Sequence, residues 1–141
     1  HYILVNKSTK NTALFKDFAH TLREKNIPLF LGDKDQDFSL GGIKLDTIVL
    51  EKIFPEQNNN SLVQRISTEN TTLLLTGDIE KKVEKELIQT TQKLKSILIK
   101  IPHHGSKSSL SSEFLAAISP EKAIIIAHKS NPYGHPHQEK I

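Results

Sequence analysis

Three hydrophobic runs in the second half of the chain each lead into a motif rich in metal-type side chains. No other feature constrains the fold as much. Thr72 to Leu75 leads into Thr76-Gly77-Asp78, and Ile97 to Ile101 leads into Pro102-His103-His104-Gly105-Ser106. Ala123 to Ala127 is followed shortly by Tyr133-Gly134-His135-Pro136. Strands that end in Asp or His predict a site built along one edge of a sheet. Five of the seven histidines fall between residues 103 and 137, where those strand ends lie. The pattern points to a metal-dependent hydrolase.

The 141 residues are enough for one domain or part of one. The chain has no Cys, so any metal must be held by His, Asp or water, a donor set that suits zinc, manganese or iron. The net charge of +3 is a small excess that solubility alone accounts for. No apolar run approaches the ~20 residues that span a bilayer, and the first residues lack the apolar core of a secretion signal. The chain opens on His1 rather than Met, which is expected of a piece of a longer protein.

The first ~31 residues read as strand, helix, strand. Tyr2 to Val5 is a short strand, and Thr12 caps a helix to about Lys25 with Leu14, Phe15, Phe18, Ala19 and Leu22 on one face. A second strand spans Leu29 to Leu31. Hairpins follow: Phe38 to Leu40 with Ile43 to Leu45 across Gly41-Gly42, a separate strand Thr47 to Leu50, then Leu62 to Ile66 with Thr72 to Leu75. Asn58-Asn59-Asn60-Ser61 is a turn-rich break. A charged helix is expected from Ile79 to Leu94, with Val83, Leu87, Ile88 and Leu94 inward. Its lysines form a solvated face. Ile97 to Ile101 is a buried strand, Ser109 to Ile118 a helix and Ala123 to Ala127 another buried strand. Pro136 is placed to open a last helix. The whole predicts a layered α/β domain.

Each motif has a chemical reading and a plainer one. Asp78 at a strand end can bridge two metal ions, or it can cap the helix expected from Ile79. Of the adjacent histidines 103 and 104, one can bind metal while the other faces substrate. Gly105 permits close approach, and Ser106 can donate to a phosphate or a supporting group. His135 can be a ligand, a proton donor or a helix cap. His137, His128 and His20 read as structural or surface residues. Asn60 runs into a strand and can orient water or substrate through its amide.

Taken together, Asn59-Asn60-Ser61-Leu62-Val63, Leu73-Leu74-Leu75-Thr76-Gly77-Asp78, Ile101-Pro102-His103-His104-Gly105-Ser106 and Asn131-Pro132-Tyr133-Gly134-His135-Pro136 resemble the metallo-β-lactamase-like domain of ComEC-type competence proteins, which import DNA across the bacterial membrane. The likeness covers about Asn58 to His137, and the first 57 residues match more loosely. It implies an αββα sandwich with a binuclear site, and a phosphodiesterase that degrades the DNA strand that is not transported. Asp78 would bridge two divalent ions, zinc or manganese, and His104 or His103 would complete one shell. His103 or His135 would protonate the leaving oxygen, with Ser106 and Asn60 positioning.

The family's first motif, His-x-His-x-Asp-His, does not occur in these residues, nor does an obvious middle His before Asp78. Residues 1–141 are therefore expected to be the C-terminal half to two-thirds of one domain, with few ligands and no activity alone. A sheet lacking partner strands would leave a face or edge exposed unless the fragment swaps or dimerises. The resemblance also implies single-stranded DNA as partner and a polytopic parent holding the domain outside the cytoplasmic membrane. Two other readings stand beside it: a metal-free binding module on the same scaffold, and a soluble hydrolase of another phosphoester.

Overall fold

A computed structural model describes residues 2–6, 12–32, 37–91 and 93–140. Within them lie three α-helices and two sheets, the expected α/β class. Strand β1 (Ile3–Asn6) pairs in parallel with β2 (Leu29–Gly32), and helix α1 (Ala13–Glu24) connects them. Thr12 caps α1 as expected, accepting from the Phe15 amide at 3.1 Å. The apolar stripe of α1 is only partly covered, with Phe15 and Ala19 half-buried. Leu22 is its buried residue, while Leu14 is 80% and Phe18 38% exposed.

The larger sheet runs in the order β3 (Asp37–Leu40), β4 (Ile43–Ile48), β5 (Val63–Ser67), β6 (Thr72–Leu75), β7 (Leu98–Lys100), β8 (Lys122–Ile124). Gly41 and Gly42 both have positive φ, as a two-residue hairpin turn with the twist of its strands requires. Residues 43 to 48 form one strand rather than the two expected segments. The pairing is antiparallel from β3 to β6 and parallel from β6 to β8.

Helix α2 (Lys81–Thr90) links β6 to β7, and α3 (Ser112–Ile118) links β7 to β8. Both pack on one sheet face, where Leu74, Ile79, Val83, Leu87, Ile99, Phe114 and Ile118 form the core. Burying such side chains contributes about 1.5–3 kcal/mol each before chain entropy is charged. The alternate residues Leu73, Leu75 and Leu98 are only half-buried, so the opposite face is thinly covered.

Three expectations are corrected. Helix α2 starts at Lys81 because Asp78 and Glu80 are tied by hydrogen bonds to Ser61 and Asn59, which hold 78–80 out of the helix. It ends at Thr90, where β-branched Thr91 is extended; Gln92, inside the expected helix, lies outside the described residues. The expected buried strand 123–127 is an exposed edge strand over 122–124, because among the described residues no strand pairs with its far side. Pro136 follows a cis peptide, and the terminal segment is a 3-10 turn (Gln138–Lys140) rather than a helix; Ile141 lies outside the described residues.

Candidate functional site

Register explains why the motifs meet. Leu75, Lys100 and Ile124 form one row across the parallel strands β6, β7 and β8. Three residues past that row stand Asp78 and His103, and two residues past it stands Ile126. All sit at the carboxyl ends of parallel strands, the edge where open α/β sheets bind ligands. His103 lies 5.6 Å from His135 between ring centroids, His104 6.4 Å from His135, and His135 5.2 Å from His137.

The turn after β7 is unusual. His103 (φ 48°) and His104 (φ 55°) are both left-handed, followed by Gly105 at 80°. A non-glycine residue in this region costs on the order of 1–3 kcal/mol. Surrounding bonds hold the pair: the His103 amide donates to Gly77 O at 3.2 Å, the Ser106 amide to His103 O at 2.9 Å, and Ser109 Oγ to Pro102 O at 2.9 Å. A Cβ on Gly105 would meet Pro136 Cβ at 2.7 Å, so glycine is what lets the His135–His137 segment close over the turn. A Cβ on Gly77 would meet Ser61 Cβ at 2.5 Å, which fixes the opposite turn in the same way.

Asp78 does not cap α2; that position falls at Glu80. Its amide donates to Ser61 Oγ at 3.1 Å, and its Oδ1 lies 3.6 Å from His104 Nε2 and 3.4 Å from Lys100 Nζ. His104 Nδ1 is 2.6 Å from the Ile126 carbonyl. A carbonyl only accepts, so Nδ1 carries the proton. In the neutral ring Nε2 is then an acceptor, and it faces a carboxylate oxygen, also an acceptor. With Nδ1 engaged by the carbonyl, Nε2 and the Asp78 oxygen 3.6 Å away face a common point, where a shared proton or a cation can sit between them. A ring nitrogen bound to a backbone carbonyl is also the usual support of a metal-ligating histidine. His103 Nδ1 is buried with no hydrogen-bond partner among the described residues, 3.8 Å from Glu80 Oε1.

The donors present fit one edge of a metal shell. Among the described residues no three His, Asp or Glu side chains group closely enough to hold an ion by themselves. Behind them a polar network fixes the edge. Glu80 accepts from Asn59 Nδ2 at 2.9 Å and from Ser108 Oγ at 2.8 Å, and Ser106 Oγ lies 3.0 Å from Ser108 Oγ. The Asn59 bond, against the cost of burial, holds the Glu80 carboxyl below its ordinary value. Burial, then the neighbouring imidazoles of His103, His137 and His104, push His135 below the usual histidine value, and Asp78 offsets this only in part.

No family model matches the chain. It is 43% identical over 85 residues to ComE operon protein 3 of Bacillus subtilis, covering 60% of this chain and 11% of that protein. It is 38% identical over 82 residues to competence protein ComA of Neisseria gonorrhoeae, covering 57% of this chain and 12% of that one. The resemblance to ComEC-type competence proteins is borne out. Recombination protein 2 of Haemophilus influenzae is 36% identical over 80 residues, covering 57% of this chain and 10% of that one. The chain thus spans about a tenth of the length of the curated relatives it matches. A Thermotoga maritima crystal structure assigned to the metallo-β-lactamase superfamily aligns over 94% of this chain and 64% of its own, at 13% identity and a TM-score of 0.46.

Of the residues singled out in the sequence, Asp78, His103, His104 and His135 come together. His137 joins them, against the surface role expected of it; its amide donates to Gly105 O at 3.1 Å. Ser106 is buried behind the turn and faces Ser108 rather than the His cluster. Asn60 is a correction. Its amide is engaged by the backbone, accepting from the Phe54 amide and donating to Phe54 O, both at 2.8 Å. Asn58 reaches the site instead, with Nδ2 3.4 Å from His103 Nε2.

Lys100 was missed. Its Nζ donates to Gly77 O at 2.8 Å, and its carbonyl accepts from Thr76 Oγ1 at 2.8 Å, so it laces the Asp78 turn to β7. The signal was present: a lysine inside the otherwise apolar run Ile97 to Ile101 is a charge where burial is expected.

Proposed function

We propose that this chain is part of a metal-dependent phosphodiesterase domain of a competence protein, with the αββα sandwich of the metallo-β-lactamases. The domain cuts the DNA strand that is not transported. The observation that carries this reading is the acceptor pair His104 Nε2 and Asp78 Oδ1 at the strand edge, oriented by the Ile126 carbonyl. Two divalent ions, zinc or manganese, supply activated water and neutralise phosphoryl charge when bound.

The chain's own residues then have distinct tasks. Asp78 and His104 hold cation, with His103 Nδ1 as a further donor on the same turn. His135, kept neutral by its depressed pKa, takes a proton during attack and returns it to the leaving oxygen. Ser106 holds the turn through Ser108 and Glu80. The remaining ligands belong to upstream sequence of a membrane-embedded parent that places the domain on the extracytoplasmic side, and residues 1–141 alone are inactive. No helix among the described residues is long and apolar enough to cross a membrane.

The test is cleavage of labelled single-stranded DNA with manganese or zinc, by a form extended upstream. Asp78→Asn should lower the rate at least ~100-fold and weaken metal binding by calorimetry, with unchanged circular dichroism. Wild-type cleavage in that variant would remove Asp78 from the site. A second reading, a metal-free module, is favoured by one observation: the Lys100 ammonium already neutralises Asp78 at 3.4 Å. Absence of metal uptake by a folded extended protein would select it.

A further inference from the structure

An open cleft of about 280 Å³ runs outward from the site. His104 and His135 form its inner wall, and Ile126, Ala127, His128, Asn131 and Tyr133 the rest. Tyr133 is 74% exposed. One face of its ring rests on His135, with centroids 5.7 Å apart and planes 29° apart. Among the described residues no other ring stacks on it.

The loop presenting Tyr133 is fixed rather than loose. Asn131 Nδ2 donates to His128 O at 2.7 Å and His135 O at 2.6 Å, and its Oδ1 accepts from the amides of Tyr133 at 3.1 Å and His135 at 2.9 Å. A large aromatic side chain held outward on an ordered loop has already lost the entropy that binding would otherwise cost.

We propose that Tyr133 and this cleft form a stacking subsite for one nucleobase, next to the phosphodiester bound at the Asp78–His104 edge. The proposal rests on the phosphodiesterase reading and deepens it. The cleft is smaller than the ~300–1,000 Å³ of drug-sized ligand pockets, so it takes a single flat ring system. Its rim of Ile126 and Ala127 suits an unpaired base with no charge. Its inner wall of His104 and His135 adjoins the Asp78–His104 edge, where a bound cation would hold the phosphate joined to that base. Every base has a π-face, so the subsite selects single strands over duplexes, whose bases are already stacked, without reading sequence.

The test uses the 141-residue chain both with and without added zinc. Its two tyrosines are Tyr2 and Tyr133, and it has no Trp, so tyrosine emission of a Tyr2→Phe form reports Tyr133 directly. Binding of a short oligothymidylate is compared with an abasic oligomer of equal length. The base-containing strand should bind about tenfold tighter and quench the emission, since stacking is worth ~1–3 kcal/mol per base. Tyr133→Ala should abolish that tenfold gap while leaving abasic binding unchanged, and Tyr133→Phe should keep it. A gap that survives Tyr133→Ala, equal binding of the two strands, or no binding of either would overturn the proposal. Failure of the extended protein to cleave DNA, with the base-dependent gap intact, would instead strike the phosphodiesterase reading and leave the subsite standing.

Discussion

Two adjacent left-handed histidines are costly, and the neighbouring glycine shows how closely the structure is built to keep them. Gly105 has φ 80°, and its missing Cβ leaves room for Pro136. Gly105→Ala adds both a strained conformation and a contact with a rigid ring, so neither side can give easily. The expected loss is about 1–3 kcal/mol, read as a lower urea midpoint. The same variant should move the ring resonances of His135 in NMR spectra, because the His135–His137 segment is what the new methyl displaces. An unchanged spectrum would mean that the segment does not depend on the turn. Asp78 shows what remains ambiguous in a sequence. Carboxylates at such positions commonly cap helices, and only the hydrogen bonds of Ser61 and Asn59 show that the cap falls two residues later.

At the scale of elements, legibility followed local completeness. Strands β6 and β7 and the turns after them were readable because apolar run, glycine and polar residue are contiguous. Asn58 and Asn60 could not be told apart, because three consecutive asparagines differ only in what the folded chain brings to each. The stripe on α1 was read correctly as a stripe, but whether anything covers it is a tertiary fact. Glu84 was likewise hidden, an acid on a charged helix that proves fully buried. It accepts from the Ser111 amide at 2.8 Å and Ser111 Oγ at 2.7 Å, and also from the Leu110 amide, so α2 anchors the start of α3. Glu84→Gln places an NH₂ against donors and leaves one unsatisfied. The expected cost is about 1–3 kcal/mol by urea unfolding. Glu86→Gln, which disturbs only the exposed pair with Lys52, should cost under ~1 kcal/mol. Equal effects would show that Glu84 is not the link between the helices.

For the whole molecule, these charges predict how folding depends on pH. Among the groups with depressed values, His135 and Asp46 lie at opposite ends of the large sheet, and Glu80 stands on the His135 side. His135 is lowered from 6.5 by burial and by its imidazole neighbours. The unfolded chain then takes up this proton first on acidification, so stability present above pH 6.5 is lost as pH falls through the lower folded value. Asp46, on β4, is pushed up by burial, but its bond to Lys44 at 2.7 Å outweighs this and holds it below 3.8. Arg65 on the neighbouring strand approaches its other oxygen at 3.6 Å. Its contribution is complete above pH 3.8 and disappears as pH drops through the folded value, when the buried carboxyl gains a proton and the Lys44 pair is lost. The urea midpoint should therefore fall in two stages, one beginning below pH 6.5 and an acid one below pH 4.5 to which Glu80 and then Asp46 contribute. His135→Gln should flatten the first stage alone, and Asp46→Asn should shrink the acid stage without touching the first. Asp46 lies on β4 and His135 in the segment after β8, and they share no partner among the described residues, so the two effects should add in the double variant. If Asp46→Asn also altered the upper stage, the hairpin end of the sheet would be coupled to the histidine edge, and the two ends could not be treated as independent.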